Sequence, residues 1–285
     1  MDLSKQSLYF LMCIWLILSF GPSIHSENRG LEKEKALFFQ SVQGRLDSIP
    51  SPKEEIHYRI LKEYGALWTG SDPEVKFPPK LIFESEADTL SYQENLQLDS
   101  VSGNNCRLQK AALSQLNKAQ SEAAALKLKI TPRGSDSCLR SYKTTYDLWL
   151  SRLEPNLNYY VSNKKLTQAE AQKVRKAPLN KQIKMVLDLE TQKGLLFDKY
   201  RQTSILNSVA APGSSQHLSG LAFDVAEFAN PQIRKILNKH GWYQTVENDQ
   251  PHFTYLGVQN NEENLKNYGL VKKAKGQFSF WIPNI

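Results

Sequence analysis

The 285-residue chain contains only three cysteines, and it has no internal repeat and no long run of basic residues. Its composition, with 40% hydrophobic residues, excludes a disordered, collagen-like or coiled-coil protein and indicates one or two globular domains with a sizeable core. The net charge of +7 is spread along the chain without a nucleic-acid-binding motif, so we expect no nucleic-acid partner. Such a surface suits contact with anionic polymers, and an ordinary soluble surface is the alternative.

One long apolar run is present, at residues 8–20, between Lys5 and a segment of small residues that ends at Ser26. The run is shorter than the ~20 apolar residues that cross a bilayer comfortably, and its flanks are typical of a secretory signal. We therefore predict a signal peptide over residues 1–26. The mature protein is expected in the periplasm or cell envelope, or secreted, without a stable membrane span. An uncleaved anchor and a lipid attached to Cys13 are the alternatives.

Removal of this signal leaves two cysteines, Cys106 and Cys138. Exported proteins meet an oxidising compartment, where such a pair can form a disulfide. The bond would close a loop of ~30 residues and contribute ~3–4 kcal/mol to stability. Two unpaired thiols are the alternative.

Residues 27–104 are predicted to form a partly helical N-terminal extension, because apolar residues recur at helical spacing between Ile56 and Leu67. Residues 105–285 are predicted to form an α+β domain with a helical insertion near 155–200. Within the insertion, Thr167 and Glu170 have the spacing of a capping box, which marks the start of a helix.

A strand is predicted in the same domain at residues 126–130, where Leu126, Leu128 and Ile130 alternate with lysines.

The most informative stretch covers residues 215–224, Ser-Gln-His-Leu-Ser-Gly-Leu-Ala-Phe-Asp. His217 and Asp224 carry side chains that bind zinc, and Gly220 permits a turn between them. Apolar residues alternate from Leu221 to Val225, so the carboxylate of Asp224 is predicted to project from a well-anchored strand into a cleft.

A second stretch, Asp249-Gln-Pro-His252, supplies a third ligand and an acid. His252 completes a His, Asp, His set, and three protein ligands leave one coordination position open, as in catalytic zinc sites. Asp249 precedes that ligand closely, where its carboxylate could take a proton from water activated by the metal. The sequence therefore predicts Zn²⁺ as cofactor and Asp249 as the general base.

These residues resemble the signature of the VanY-type zinc D-alanyl-D-alanine carboxypeptidases, whose superfamily includes lysostaphin-type endopeptidases and the hedgehog signalling domain. That signature is Ser-x-His-x-x-Gly-x-Ala-x-Asp, followed by an acidic residue, two spacers and His. All five fixed positions of its first part are present, and the resemblance covers roughly residues 105–260. Many members carry Glu where this chain has Asp249.

The resemblance implies the same ligands, His217, Asp224 and His252, and the same base, Asp249. It also implies that Arg140, in the segment Arg-Ser-Tyr142, holds a substrate carbonyl or carboxylate, although Thr145 replaces the Gln that usually follows. Ser215 and Tyr142 are expected to bind substrate or to support the ligands.

The expected fold is α+β, hedgehog/DD-peptidase-like, with a small antiparallel sheet that carries the zinc site and helices around it. By resemblance, the expected activity is hydrolysis of peptidoglycan stem peptides next to a D-amino acid. We expect the protein to be a monomer. A D-alanyl-D-alanine carboxypeptidase is the leading hypothesis. An endopeptidase, an L,D-carboxypeptidase, an L-alanyl-D-glutamate peptidase and a non-catalytic zinc-binding module are the alternatives.

Overall fold

The structure is a computed structural model that describes residues 35–101, 106–259 and 261–285. The predicted signal peptide, residues 1–26, lies outside the described residues. Within the described part of the chain, no helix combines the length and the apolar character that a bilayer span requires.

Helices make up most of the regular structure, together with short antiparallel strands. The α-helices are α1 (Glu55–Tyr64), α2 (Glu86–Gln93), α3 (Lys110–Ala125), α4 (Tyr142–Ser162), α5 (Gln168–Lys176), α6 (Leu179–Lys193), α7 (Pro231–Lys239) and α8 (Glu262–Asn267). Residues 35–42 are also helical, and single 3₁₀ turns cover Gly65–Thr69, Ile205–Asn207 and Gln216–Ser219. This mixture agrees with the predicted α+β class.

The strands form three small antiparallel sheets in the described residues. They are β1 (Leu98–Ser100), β2 (Arg107–Gln109), β3 (Ala222–Asp224), β4 (Trp242–Tyr243), β5 (His252–Tyr255), β6 (Leu270–Lys275) and β7 (Phe278–Pro283). Strands β1 and β2 pair with each other, β6 pairs with β7, and the central sheet has the order β3-β5-β4.

The register of the central sheet places Asp224 directly opposite His252, and Phe223 opposite Phe253. Because side chains alternate between the faces of a strand, Asp224 and His252 share one face with Thr254. Phe223 and Phe253 point the other way and are fully buried in the core. The hydrophobic face thus anchors the strands, and the polar face presents an acid and an imidazole side by side.

Polar side chains at helix starts explain why several helices begin where they do. Ser141 accepts a hydrogen bond from the backbone N–H of Thr144 at the start of α4. The capping box predicted for Thr167 and Glu170 is confirmed at the start of α5.

The strand predicted at residues 126–130 is wrong. Helix α3 ends at Ala125, and Lys127 takes a left-handed conformation with φ of 59° that turns the chain. The backbone N–H of Leu128 then donates to the carbonyl of Ala123, within the same turn. Alternation of apolar residues does not make a strand where no neighbouring strand accepts its hydrogen bonds.

The predicted extension packs directly against the remainder of the chain. Phe38 and Trp68 belong to the same buried cluster as Trp149 of α4 and Trp242 of β4. In addition, the Gln93 amide donates to two backbone carbonyls of the segments that carry the candidate site, at 2.9 and 3.0 Å. Residues 35–101 therefore contribute to the scaffold of that site.

Candidate metal centre

His217 lies in the 3₁₀ turn Gln216–Ser219, just before strand β3. The hydroxyl of Ser215 accepts a hydrogen bond from the backbone N–H of His217 and caps this turn. Gly220 ends it with φ of +67°, a left-handed conformation that glycine adopts without strain. Two fixed positions of the motif, Ser215 and Gly220, thus shape the turn that leads from His217 to Asp224.

The structure brings the side chains of His217, Asp224 and His252 together. Nε2 of His217 lies 3.1 Å from Nδ1 of His252, and Oδ1 of Asp224 lies 3.3 Å from each of these nitrogens. Tetrahedral ligands that lie ~2.0–2.1 Å from a shared zinc ion are ~3.3 Å apart. The three atoms therefore have the spacing of three ligands of one metal ion, and the residues could hold such an ion.

Hydrogen bonds to backbone and amide oxygens determine which nitrogen of each imidazole carries a proton. Nδ1 of His217 lies 2.8 Å from the carbonyl oxygen of Cys138, and Nε2 of His252 lies 2.8 Å from Oε1 of Gln216. Both oxygens can only accept, so both of these nitrogens donate. When both imidazoles are neutral, Nε2 of His217 and Nδ1 of His252 carry the lone pairs. These lone pairs face each other and Asp224.

This arrangement suits a cation. Burial, and next the positive charge of Arg140, lower the pKa of His217 to about 4, so its imidazole is neutral near neutral pH. Oδ1 of Asp224 is buried and has no hydrogen-bond partner in the described part of the molecule. A buried carboxylate oxygen is costly without a partner. A bound metal ion would satisfy this oxygen and both lone pairs, so the residues fit Zn²⁺.

Gln216 organises this centre, and the sequence analysis assigned it no role. Its Oε1 accepts hydrogen bonds from His252 and from the hydroxyls of Thr245 and Thr254. Its Nε2 donates to the carbonyl of Tyr64 at 2.8 Å, which determines which end of the amide faces His252. Metal-binding histidines usually have such a partner on the second nitrogen. The sequence did contain a signal for Thr254: alternation along the strand places its side chain on the same face as that of His252.

Arg140 lies against the acid of the centre. Its Nη2 donates to Oδ2 of Asp224 at 2.7 Å, and its Nε donates to the backbone carbonyl of Asp136 at 2.7 Å. The guanidinium holds one oxygen of Asp224 and leaves the other, Oδ1, directed at the histidines. Arg140 also lines the cavity beside the centre.

Asp249 lies in a tight turn before β5 and lines the same cavity. Its backbone carbonyl accepts from the N–H of His252 at 3.2 Å, which ties the acid to the candidate ligand. Burial raises the pKa of Asp249, and the charge of Asp224 adds to this effect, while His252 and Arg140 oppose it. A carboxyl with a raised pKa is better matched to proton transfer near neutral pH.

The cavity has a volume of about 180 Å³, and the three candidate ligands form part of its wall. Arg133, Ser215 and Asp249 also line it, whereas Tyr142 does not. The rest of the wall includes residues of α4 and residues 206–210.

A disulfide joins Cys106 and Cys138, whose Cα atoms are 5.1 Å apart. The bond ties the start of β2 to the segment whose carbonyl, that of Cys138, binds His217.

The chain matches no protein-family model, and no curated protein resembles it significantly in sequence. Among solved structures, it is similar to the crystal structure of the vancomycin resistance D,D-pentapeptidase VanY from a VanB-type resistance cassette, a mutant in complex with Zn(II). The two are 17% identical, the match covers 62% of this chain and 85% of that one, and the TM-score is 0.37.

Proposed function

We propose that this chain is an exported zinc-dependent peptidase that hydrolyses peptidoglycan stem peptides beside a D-amino acid, as a D-alanyl-D-alanine carboxypeptidase. The observation that carries the proposal is the convergence of two imidazole lone pairs and one carboxylate oxygen, 3.1–3.3 Å apart, on a cavity wall. The substrate class rests on the motif of residues 215–224 and its resemblance to VanY-type enzymes. A disulfide between Cys106 and Cys138 suits an exported protein.

His217, Asp224 and His252 would hold the ion through Nε2, Oδ1 and Nδ1. When bound, Zn²⁺ supplies Lewis-acid polarisation of a carbonyl and makes water a stronger acid. Asp249 takes a proton from the attacking water, whose oxygen bonds to the carbonyl carbon. As the C–N bond breaks, Asp249 passes that proton to the leaving amine. Its position on the cavity wall and its raised pKa support this role.

Arg140 stabilises the oxygen that gains negative charge during attack. Contacts with Asp224 and with the carbonyl of Asp136 hold its guanidinium in one orientation. Donors that are already oriented stabilise a developing oxyanion with little reorganisation. The planar guanidinium has five N–H groups, so it can donate to a substrate oxygen while it holds Asp224.

Two measurements on the purified mature protein test the proposal. The zinc content should approach one ion for each chain. Defined muropeptides should then lose a terminal D-alanine, detected by mass spectrometry, and removal of the metal by a chelator should stop the reaction.

The products separate the alternatives. Two peptide fragments without free D-alanine would replace the carboxypeptidase by an endopeptidase. Stoichiometric zinc without hydrolysis of any muropeptide would indicate a zinc-binding module, and absence of zinc binding would refute the proposal.

A further inference from the structure

One face of helix α4 lines the cavity that contains the candidate metal centre. Thr145, Leu148 and Arg152 lie on that face, with the spacing that brings side chains to one side of a helix. Residues 206–210, which include Ser208, form the adjacent wall. Arg152 therefore contributes a cationic side chain to the cavity wall, and it is not one of the fixed positions of the VanY-type signature.

Arg152 makes hydrogen bonds to neutral groups. Its Nε donates to Oγ of Ser208 and its Nη1 donates to Oγ of Ser151, both at 2.9 Å. It forms no ion pair with a carboxylate of the described residues. By contrast, Arg140 pairs with Asp224 at 2.7 Å. The positive charge of Arg152 is thus not neutralised within the described chain, although the residue is half-buried.

An uncompensated, partly desolvated guanidinium favours an anion more strongly than a fully hydrated one does. Ser208 accepts a hydrogen bond from Nε of Arg152, so its own hydroxyl proton remains available to donate to a ligand. A guanidinium and a hydroxyl side by side match the two oxygens of a carboxylate. Both N–H groups of Nη2 and the second N–H of Nη1 remain available for this contact.

We propose that Arg152 and Ser208 bind a carboxylate of the peptide substrate, so that the enzyme recognises its substrate partly through that negative charge. This inference rests on the proposed function and names a specificity determinant of the same cavity. The carboxylate has two possible sources: the free C-terminus of the released residue, or an acidic residue within the stem peptide.

The test uses four peptides that share one scissile bond. The C-terminus is either a free acid or an amide, and an internal acidic residue is either present or amidated. The variant Arg152→Gln keeps a hydrogen-bonding side chain and removes the charge, and Arg152→Lys restores the charge. The matched control is Arg175→Gln, because Arg175 pairs with Glu154 away from the cavity.

We expect Arg152→Gln to raise KM about 10- to 100-fold for every peptide that keeps the recognised carboxylate, as loss of a charge-assisted hydrogen bond implies. The effect should vanish for peptides in which that group is amidated, Arg152→Lys should recover part of the loss, and Arg175→Gln should change nothing. If amidation of the C-terminus removes the rise in KM, the recognised carboxylate is the C-terminus. If amidation of the internal acidic residue removes it, the recognised carboxylate belongs to the stem peptide. An effect that is equal for all four peptides, or absent from all, overturns the inference.

Binding of the four peptides to the metal-free protein, measured by calorimetry, separates failure of this inference from failure of the proposed function. If the wild-type zinc protein hydrolyses none of the peptides, the proposed function fails. Binding that still depends on both Arg152 and the carboxylate would preserve the assignment of this contact. Hydrolysis without such dependence would preserve the function and refute the contact.

Discussion

Replacement of Gln216 by leucine tests whether hydrogen bonds behind the ligands determine metal affinity. Leucine is apolar and shorter, so it removes the acceptor of the His252 Nε2–H and the donor to the carbonyl of Tyr64. The imidazole of His252 would then lose the contact that keeps its Nδ1 lone pair directed at Asp224 and His217. A buried donor without a partner also costs about 1–3 kcal/mol.

Loss of such a supporting contact usually weakens metal binding about 10- to 100-fold, and we expect this range for the zinc Kd of Gln216→Leu. The measurement is competition for zinc with a chromogenic chelator at neutral pH, combined with circular dichroism to verify folding. The variant Gln216→Glu, which keeps an acceptor for His252, should retain most of the affinity.

Gln182→Leu is the matched control. Gln182 is also buried, accepts from Trp149 and donates to the carbonyl of Val174, but it does not line the cavity. This variant should lose stability without a change in zinc affinity. A folded Gln216→Leu protein with wild-type zinc affinity, or an equal loss in Gln182→Leu, would refute the reasoning.

Three further perturbations address the base, the disulfide and the protonation of a ligand. Asp249→Asn should lower kcat about 10²- to 10⁴-fold, which is the usual contribution of a general base, and should leave the zinc content unchanged. An unchanged kcat would remove Asp249 from the mechanism. Replacing Cys106 and Cys138 by serine should lower the free energy of unfolding, measured in urea, by ~3–4 kcal/mol, because the disulfide closes a loop between residues 32 positions apart. An unchanged free energy of unfolding would show that the disulfide does not constrain the unfolded chain. In the metal-free protein, the unfolded state takes up a proton on His217 before the folded state does, because burial lowers its folded pKa from 6.5 to about 4. The free energy of unfolding should therefore fall by roughly 3 kcal/mol as the pH decreases from 6.5 to about 4, and His217→Gln should remove that slope.

Local patterns in the sequence were sufficient for several predictions. The capping box of Thr167 and Glu170 is confirmed, because it involves residues that are three positions apart. The alternation around Asp224 correctly indicated a strand with a buried apolar face, since side-chain direction follows from backbone geometry alone. The zinc ligands themselves stay a prediction, although the structure brings all three side chains together.

Alternation failed at residues 126–130, where the same kind of pattern does not form a strand. A strand needs a partner for its backbone hydrogen bonds, and the sequence does not say whether one lies alongside. At Asp224 that partner is β5, and here the chain turns at Lys127 instead.

The sequence alone determined the chemistry of the candidate centre: which side chains can bind a metal, which acid stands near them, and where the chain can turn. Tertiary structure decided how those groups are held. Gln216 lies between its contacts with Tyr64 and His252, which are 152 and 36 residues away in the chain, and Arg140 meets Asp224 across 84 residues. Such contacts depend on how helices and strands pack, so no local spacing predicts them. For the same reason, only the folded chain places Arg152 on the wall of the cavity that the candidate metal ligands also line.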